Sequence, residues 1–262
     1  MIELGVNYFT ELPLLAEDPS VVFQYVKVGD NGEERVSQAL SYLPSKTILY
    51  HCDTLVRSDP AELESLASVL CAEQKRTGSP WLSAHLDCYT REEAHAYLQR
   101  GQRLPYCTER EGLDLICRAV EGIKPHLPVP LLLENMPQWP TPEWDPATSP
   151  AFITRVLDET HCGLLLDLAH VRVSAANLGR KVHAYAEELP LDRVVEIHVS
   201  GPRREDRWWH DSHETMVDED YALLAWVLER ARPRAVTLEY YFEREPLEMQ
   251  LRRLRAMLGE PH

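Results

Sequence analysis

No apolar run in this 262-residue chain approaches the roughly 18 residues that a membrane-spanning helix needs. The opening stretch, Met1 to Phe9, has neither a basic start nor an apolar signal core, which points away from export. Basic residues are scarce: 27 Lys and Arg stand against 42 Asp and Glu, giving a formal charge of -15 and a pI near 5.2. Binding that relies on phosphate attraction needs the opposite balance, so nucleic acid is not an expected partner. Cations, in contrast, find many carboxylates. The six cysteines, Cys52, Cys71, Cys88, Cys107, Cys117 and Cys162, contain no CxxC pair. A long chain without a secretion signal favours free thiols. The expectation is a reduced, cytoplasmic protein with no membrane attachment. Low-complexity runs and repeats longer than a single strand–helix unit are also missing.

What the chain does have is ordinary globular composition, 44% hydrophobic and 26% charged, and a regular alternation of short apolar runs with amphipathic segments. Strands are expected at Ile2–Tyr8, Phe23–Val28, Thr47–Cys52, Trp81–Leu86, Pro130–Asn135, Gly163–Leu168, Val194–Val199 and Ala235–Tyr240. Helical spacing marks Glu34–Leu43, Pro60–Arg76, Glu109–Leu127, Ser149–Glu159, Arg180–Leu189, Asp218–Arg232 and Pro246–Leu258. Strands alternating with helices imply parallel pairing through right-handed crossovers. Eight such units in about 250 residues are the usual size of a (β/α)8 barrel. The expected fold is therefore one α/β domain over residues 1–262, a TIM barrel. The first unit is the weakest, since Thr10–Ser20 is acidic and rich in Pro. Asp87–Thr108, Met136–Ser149 and Ser200–Val217 are too long for plain connections. All three follow a strand and so rise from the face where barrel active sites are built.

The strand ends carry the chemistry. His51 closes the third, His85 the fourth, Glu134 and Asn135 the fifth, Asp167 with His170 the sixth, His198 the seventh and Glu239 the eighth. Asp211 and His213 follow in the loop after strand seven. Burying so many ionisable groups without partners would be prohibitive, and a cation is the simplest compensation. Histidine and carboxylate without a clear cysteine partner suit Zn, Mn or Fe. Nine candidate ligands exceed the capacity of one ion and suggest two or three metals sharing a bridging carboxylate. Glu196, two residues before His198, lies on the same face one layer deeper and reads as a partner of that histidine. Cys52 should point away from His51 into the core. Cys88 is in the loop after strand four, where packing and a substrate-facing or redox role are both open. His95, His126, His161, His183 and His262 read as solvated or structural, and His210 as surface or supporting. Arg203, Arg204 and Arg207 beside Trp208 and Trp209 are either solvated loop charges or a cover for a peptide or anionic substrate.

Together, several stretches resemble a known family. They are Arg103-Leu-Pro-Tyr-Cys-Thr-Glu109, Leu133-Glu-Asn135, Gly163 to Asp167 continuing to Val173-Ser-Ala-Ala-Asn-Leu-Gly179, Glu196-Ile-His198-Val-Ser-Gly201, Asp211-Ser-His213 and Leu238-Glu239. The chain resembles the multinuclear non-heme iron-dependent oxidative enzymes, the family of the methanobactin-biosynthesis oxygenase, from about Gly5 to the last helix. The resemblance implies a xylose isomerase-like TIM barrel with two or three iron ions and dioxygen as co-substrate. It implies a peptide substrate, oxidised often at cysteine, and a separate protein that recognises the precursor. By that resemblance His51, His85 and Glu134 hold one metal, and Glu134 bridges to a second on Asp167, His198 and Glu239. His170, Asp211 and His213 hold a third, and Glu134, Asn135 and His198 stand closest to the chemistry. Many members carry Asn where this chain has His170. The Asp-x-x-His spacing and the order of ligands are also similar to endonuclease IV-like barrels. The alternative is thus an endonuclease IV-like or sugar isomerase-like enzyme using Zn or Mn for hydrolysis or isomerisation.

Overall fold

The computed structural model describes residues 2–18, 21–29, 33–56, 60–89, 96, 99–100 and 107–259. Ten strands are assigned among them: β1 (Glu3–Asn7), β2 (Tyr25–Gly29), β3 (Thr47–Thr54), β4 (Leu82–His85), β5 (Leu131–Glu134), β6 (Gly163–Asp167), β7 (Val194–Val199), β8 (Gly201–Glu205), β9 (Trp208–Glu214) and β10 (Ala235–Leu238). Eight close into a barrel in the order β1-β10-β7-β6-β5-β4-β3-β2. Every neighbouring pair in it is parallel. Strands buried on both faces read as near-continuous apolar runs, as in Leu131-Leu-Leu of β5 and Leu164-Leu-Leu of β6. The helices are α1 (Leu12–Ala16), α2 (Glu33–Tyr42), α3 (Pro60–Thr77), α4 (Glu109–Ile123), α5 (Pro150–Thr160), α6 (Leu168–Asn177), α7 (Val182–Glu187), α8 (Asp218–Leu228) and α9 (Arg244–Leu258). Among the described residues no helix is long and apolar enough to cross a membrane.

Two hydrophobic clusters show how the barrel aims its side chains. The larger lies between strands and helices, and Cys52 packs there. The smaller, Tyr25, Leu49, Trp81, Leu132, Leu165 and Ala235, plugs the barrel. Side chains alternate along a strand, so residues two and four positions after a plug residue share its inward face. Leu49 leads to His51, Trp81 to Ser83 and His85, and Leu132 to Glu134. Leu165 likewise leads to Asp167, and Ala235 to Thr237 and Glu239.

The expected fold is present, with three local differences. The sixth strand stops at Asp167, because Leu168 already begins α6, a helix that the sequence pattern did not reveal. Its apolar residues are spread round most of its circumference, since neighbouring elements bury it on several sides, and so it shows little amphipathic periodicity. The helix expected at Arg180–Leu189 is only Val182–Glu187. The stretch Ser200–Val217 is no open loop but a β8–β9 antiparallel hairpin lying beside α6. Thr10–Ser20 does hold a short helix, α1, with Leu12 and Leu15 buried. Most of the proposed Asp87–Thr108 loop, with His95, lies outside the described residues, as does His262.

Candidate metal centre

Glu134 is the hub. Ending β5 and 2% exposed, it faces four imidazoles. Its Oε2 is 3.5 Å from His51 Nε2 and 3.7 Å from His85 Nε2. Its Oε1 is 3.5 Å from His198 Nδ1 and 3.7 Å from His170 Nδ1. His198 Nδ1 also lies 3.2 Å from Glu239 Oε1 and 4.0 Å from Asp167 Oδ2. Glu239 continues the barrel ladder just past β10, its N–H donating to Val199 O at 2.9 Å. The hairpin brings in the rest: Asp211 Oδ2 stands 3.3 Å from His170 Nε2 and 3.4 Å from His213 Nε2. His213 Nε2 is 3.2 Å from Glu239 Oε2. All nine sequence-derived candidates thus meet at one end of the barrel.

Each histidine is turned by what holds its other nitrogen. Glu196, fully buried, accepts from Lys27 Nζ at 2.8 Å, Trp81 Nε1 at 2.8 Å and Thr237 Oγ1 at 2.9 Å, and lies 3.2 Å from His198 Nε2. A carboxylate only accepts, so His198 Nε2 carries a proton and Nδ1 is the atom offered to Glu134 and Glu239. Ser83 Oγ, 2.9 Å from His51 Nδ1, turns Nε2 of that ring inward. The Asn135 carbonyl accepts from His170 Nδ1 at 2.7 Å, which leaves Nε2 toward Asp211. The Asn135 amide is committed to Asp167: its Oδ1 accepts from the Asp167 N–H at 2.8 Å and its Nδ2 donates to the carbonyl at 3.1 Å. Asp167 in turn caps α6, its Oδ1 accepting from the His170 N–H at 2.7 Å. The Asp-x-x-His spacing is therefore an N-cap and the third residue of a helix. Asn135 thus orients two neighbours of the centre, Asp167 and His170.

The electrostatics show a site short of positive charge. Burial alone would raise Glu134, yet His198, His51 and His85 bring its carboxyl well below the usual range. Burial opposes charge on His198 and His170, yet the carboxylates around them push both well above the ordinary imidazole value. His51, dominated by burial and the neighbouring His85, is pushed down and stays neutral. Asp167 is pushed up by burial, against the pull of His170, with Glu239 and Asp211 adding to the rise. Protons are thus drawn to positions that a cation would fill. Glu134 Oε2, Asp167 Oδ2, His198 Nδ1 and Asp211 Oδ1 are buried without a hydrogen-bond partner, a cost that native proteins keep only for a reason. Two triads, His51–His85–Glu134 and Glu134–Asp167–His198, each place three donor atoms within 4.8 Å of one another, with Glu134 common to both. The donor set therefore fits two ions sharing one carboxylate.

Sequence reasoning missed four supporting residues. Lys27 sits mid-strand in Tyr25-Val-Lys-Val, 3% exposed. A lysine two residues after a plug residue needed an acid opposite, which is Glu196. Asn7 closes β1 and donates to Glu239 Oε1 at 2.9 Å. Its neutral amide gave no charge signal. Ser83 was passed over for His85. Asp87, buried, approaches His85 Nδ1 at 3.8 Å. The arginine cluster is largely engaged on the hairpin: Arg203 donates to Pro202 O and Thr215 O, Arg204 to Asp206 O, and Arg207 covers the Trp208 ring.

Comparison with known proteins bears on the family and the fold. The model of the family described as RiPP precursor modification enzyme MbnB/TglH/ChrH matches residues 47–257. A UPF0276 protein of Streptomyces avermitilis is 31% identical over 191 residues, 70% of this chain and 38% of that protein. Another, from Caulobacter vibrioides, is 31% identical over 174 residues, 66% of this chain and 61% of its own. The chain thus spans only part of the length of these relatives. Among solved structures, a xylose isomerase-like TIM barrel protein from Mycobacterium smegmatis in complex with magnesium aligns with a TM-score of 0.59 at 12% identity, covering 99% of this chain and 98% of that one. The probable 3-DHS dehydratase AsbF of Bacillus anthracis, involved in petrobactin synthesis, aligns at 0.60 and 12%, covering 97% and 98%. These two likenesses show the barrel fold.

Proposed function

The chain belongs to the MbnB/TglH/ChrH family of RiPP precursor modification enzymes, and from that premise we propose that it is an iron-dependent oxidase of a precursor peptide, acting with dioxygen at a cysteine. The observation that carries the reading is the set of buried, unpartnered donors Glu134 Oε2, Asp167 Oδ2, His198 Nδ1 and Asp211 Oδ1 around one mouth. Imidazole and carboxylate donors without a cysteine in the set suit iron. His51, His85 and Glu134 would hold one ion, and Glu134, Asp167, His198 and Glu239 a second. His170, Asp211 and His213 would hold a third. Iron bound there would supply the redox chemistry that dioxygen requires.

The protein's own share is orientation and exclusion. Glu196 and Lys27 keep the His198 proton on Nε2. Asn135 holds Asp167 and His170 in register. Tyr241 and Phe242, two and three residues past Glu239, are exposed, and the Tyr241 ring lies 5.6 Å from that of His213. They are the seat for an apolar side chain of the peptide beside the reacting residue. A separate protein would deliver the precursor. The test is oxygen uptake by anaerobically purified, iron-loaded protein, mixed with cysteine-containing precursor peptides and that partner. Consumption of dioxygen with a matching change in peptide mass is expected. Zinc- or manganese-loaded protein that cleaves abasic DNA or isomerises a sugar, while the iron form never consumes dioxygen, would replace this reading with hydrolysis or isomerisation.

A further inference from the structure

Three residues past His85, the side chain of Cys88 meets that of Cys107, which directly precedes Thr108, the N-cap of α4. Both sulfurs converge on Gly112 in the helix's first turns. A Cβ there would lie 2.8 Å from Cys88 Sγ and 3.0 Å from Cys107 Sγ, so the missing side chain is what makes room for the pair. The thiols hydrogen-bond each other. That bond, and then burial, pushes Cys88 up, while the same bond draws Cys107 down. Of the two, Cys107 is the sulfur drawn toward thiolate. Both are free and only part-buried, within reach of a small reagent, and neither is in a helix or strand that would resist rotation of its side chain.

We infer that Cys88 and Cys107 form a dithiol redox site, separate from the metal centre, that closes to an intrachain disulfide by exchange with a small disulfide of the glutathione class. Cys107 Sγ, as thiolate, attacks one sulfur of the oxidant; the oxidant's S–S bond breaks and one thiolate leaves. Cys88 then gives its proton to solvent, and its Sγ attacks Cys107 Sγ. The Cys88–Cys107 bond forms and the second small thiolate leaves. Two protein thiols are oxidised and one small disulfide is reduced to two thiols. From hydrogen-bonding distance, the sulfurs must close to about 2.0 Å, a movement that side-chain rotation and a small backbone shift supply. The bond would tie the exit of β4 to the start of α4, on the His85 side of the mouth.

The test is peptide mapping of the whole protein under native conditions without dioxygen, so that the metal centre itself oxidises nothing. After incubation with oxidised glutathione, acid quench and alkylation, a Cys88–Cys107 cross-linked fragment is expected, two hydrogens lighter than the sum of the free fragments. Dithiothreitol should abolish it. Cys88→Ser should instead accumulate glutathione on Cys107, and Cys107→Ser should leave Cys88 largely unmodified over the same time. In the parent protein, limited alkylation should mark Cys107 before Cys88. Absence of the cross-link after prolonged exposure, or cross-links of either residue to Cys52, Cys71, Cys117 or Cys162 in its place, would overturn the inference. The wild-type result decides this even where a variant folds poorly.

Discussion

Replacing Glu134 by Gln keeps the size of the side chain and removes the one charge that four imidazoles face. His51, His85, His170 and His198 all lie 3.5–3.7 Å from its oxygens, and the carboxylate is common to both donor triads. Breaking a buried charged arrangement by removing one partner costs about 3–5 kcal/mol. At 1.4 kcal/mol per tenfold, even the low end is roughly a hundredfold in affinity. Because the carboxylate is shared, Glu134→Gln should weaken two ions by about that much each. Glu239 differs. It is 12% exposed, it faces His198 and His213 at 3.2 Å, and its Oε1 accepts from Asn7. An amide oxygen at 239 still accepts from Asn7, so Glu239→Gln should weaken one ion only. The assay is anaerobic reconstitution with iron, metal content by elemental analysis, and titration with a competing chelator. The metal-free melting temperature should fall too, because His198 and His170 lose a buried charged partner, so affinities are compared on protein held well below its melt. Glu134→Gln protein that keeps two ions at parental affinity, or Glu239→Gln protein that loses as much, would refute the bridging argument.

His170→Ala should cost one ion and leave the Glu134-bridged pair in place; total metal equal to that of a fully loaded parent would count against a third site. Gly201→Ala should destabilise the hairpin that delivers Asp211 and His213, since its Cβ would lie 2.4 Å from the Thr215 carbonyl oxygen. About 1–3 kcal/mol is expected, seen by calorimetry as a fall of roughly 2–4 °C per kcal/mol, and an unchanged melt would show that the backbone yields freely. In the metal-free protein His213 is raised to about 9 from 6.5, burial opposing but Asp211 and Glu239 prevailing. The stabilisation it contributes should be complete below about pH 6.5 and lost as pH rises through about 9. Urea midpoints of metal-free protein should fall across that window and fall less in His213→Gln; parallel curves for the two proteins would remove His213 as the cause. Metal affinity should run the other way over the same window, because the ions displace protons.

Much of the centre was legible in the sequence because β-strand alternation is local. Once Leu132 faces inward, Glu134 must follow, and the same two-residue step carries Leu49 to His51 and Leu165 to Asp167. Apolar runs ending in His, Glu or Asp thus disclosed both the barrel and the rim of its mouth. What the chain could not disclose was any fact that depends on register between strands or on which side of a ring is occupied. That Lys27 reaches Glu196, 169 residues away, and that Glu196 then settles which nitrogen of His198 faces Glu134, follows from how neighbouring strands align around the barrel. Asn7 has a neutral side chain and drew no notice through charge; Asn135 was legible beside Glu134, but its hold on Asp167 arises from the partners that closure brings to it. α6 escaped detection because it is buried on several sides, and amphipathic periodicity arises only where one face meets water. The hairpin escaped because β8 and β9 are mostly polar, and their pairing and packing beside α6, rather than apolar alternation, hold them in place. The sequence by itself determined the fold class and the donor types. Tertiary structure alone decided that Asp211 and His213 arrive on a hairpin and meet His170 and Glu239, because a hairpin's direction is set by what it packs against.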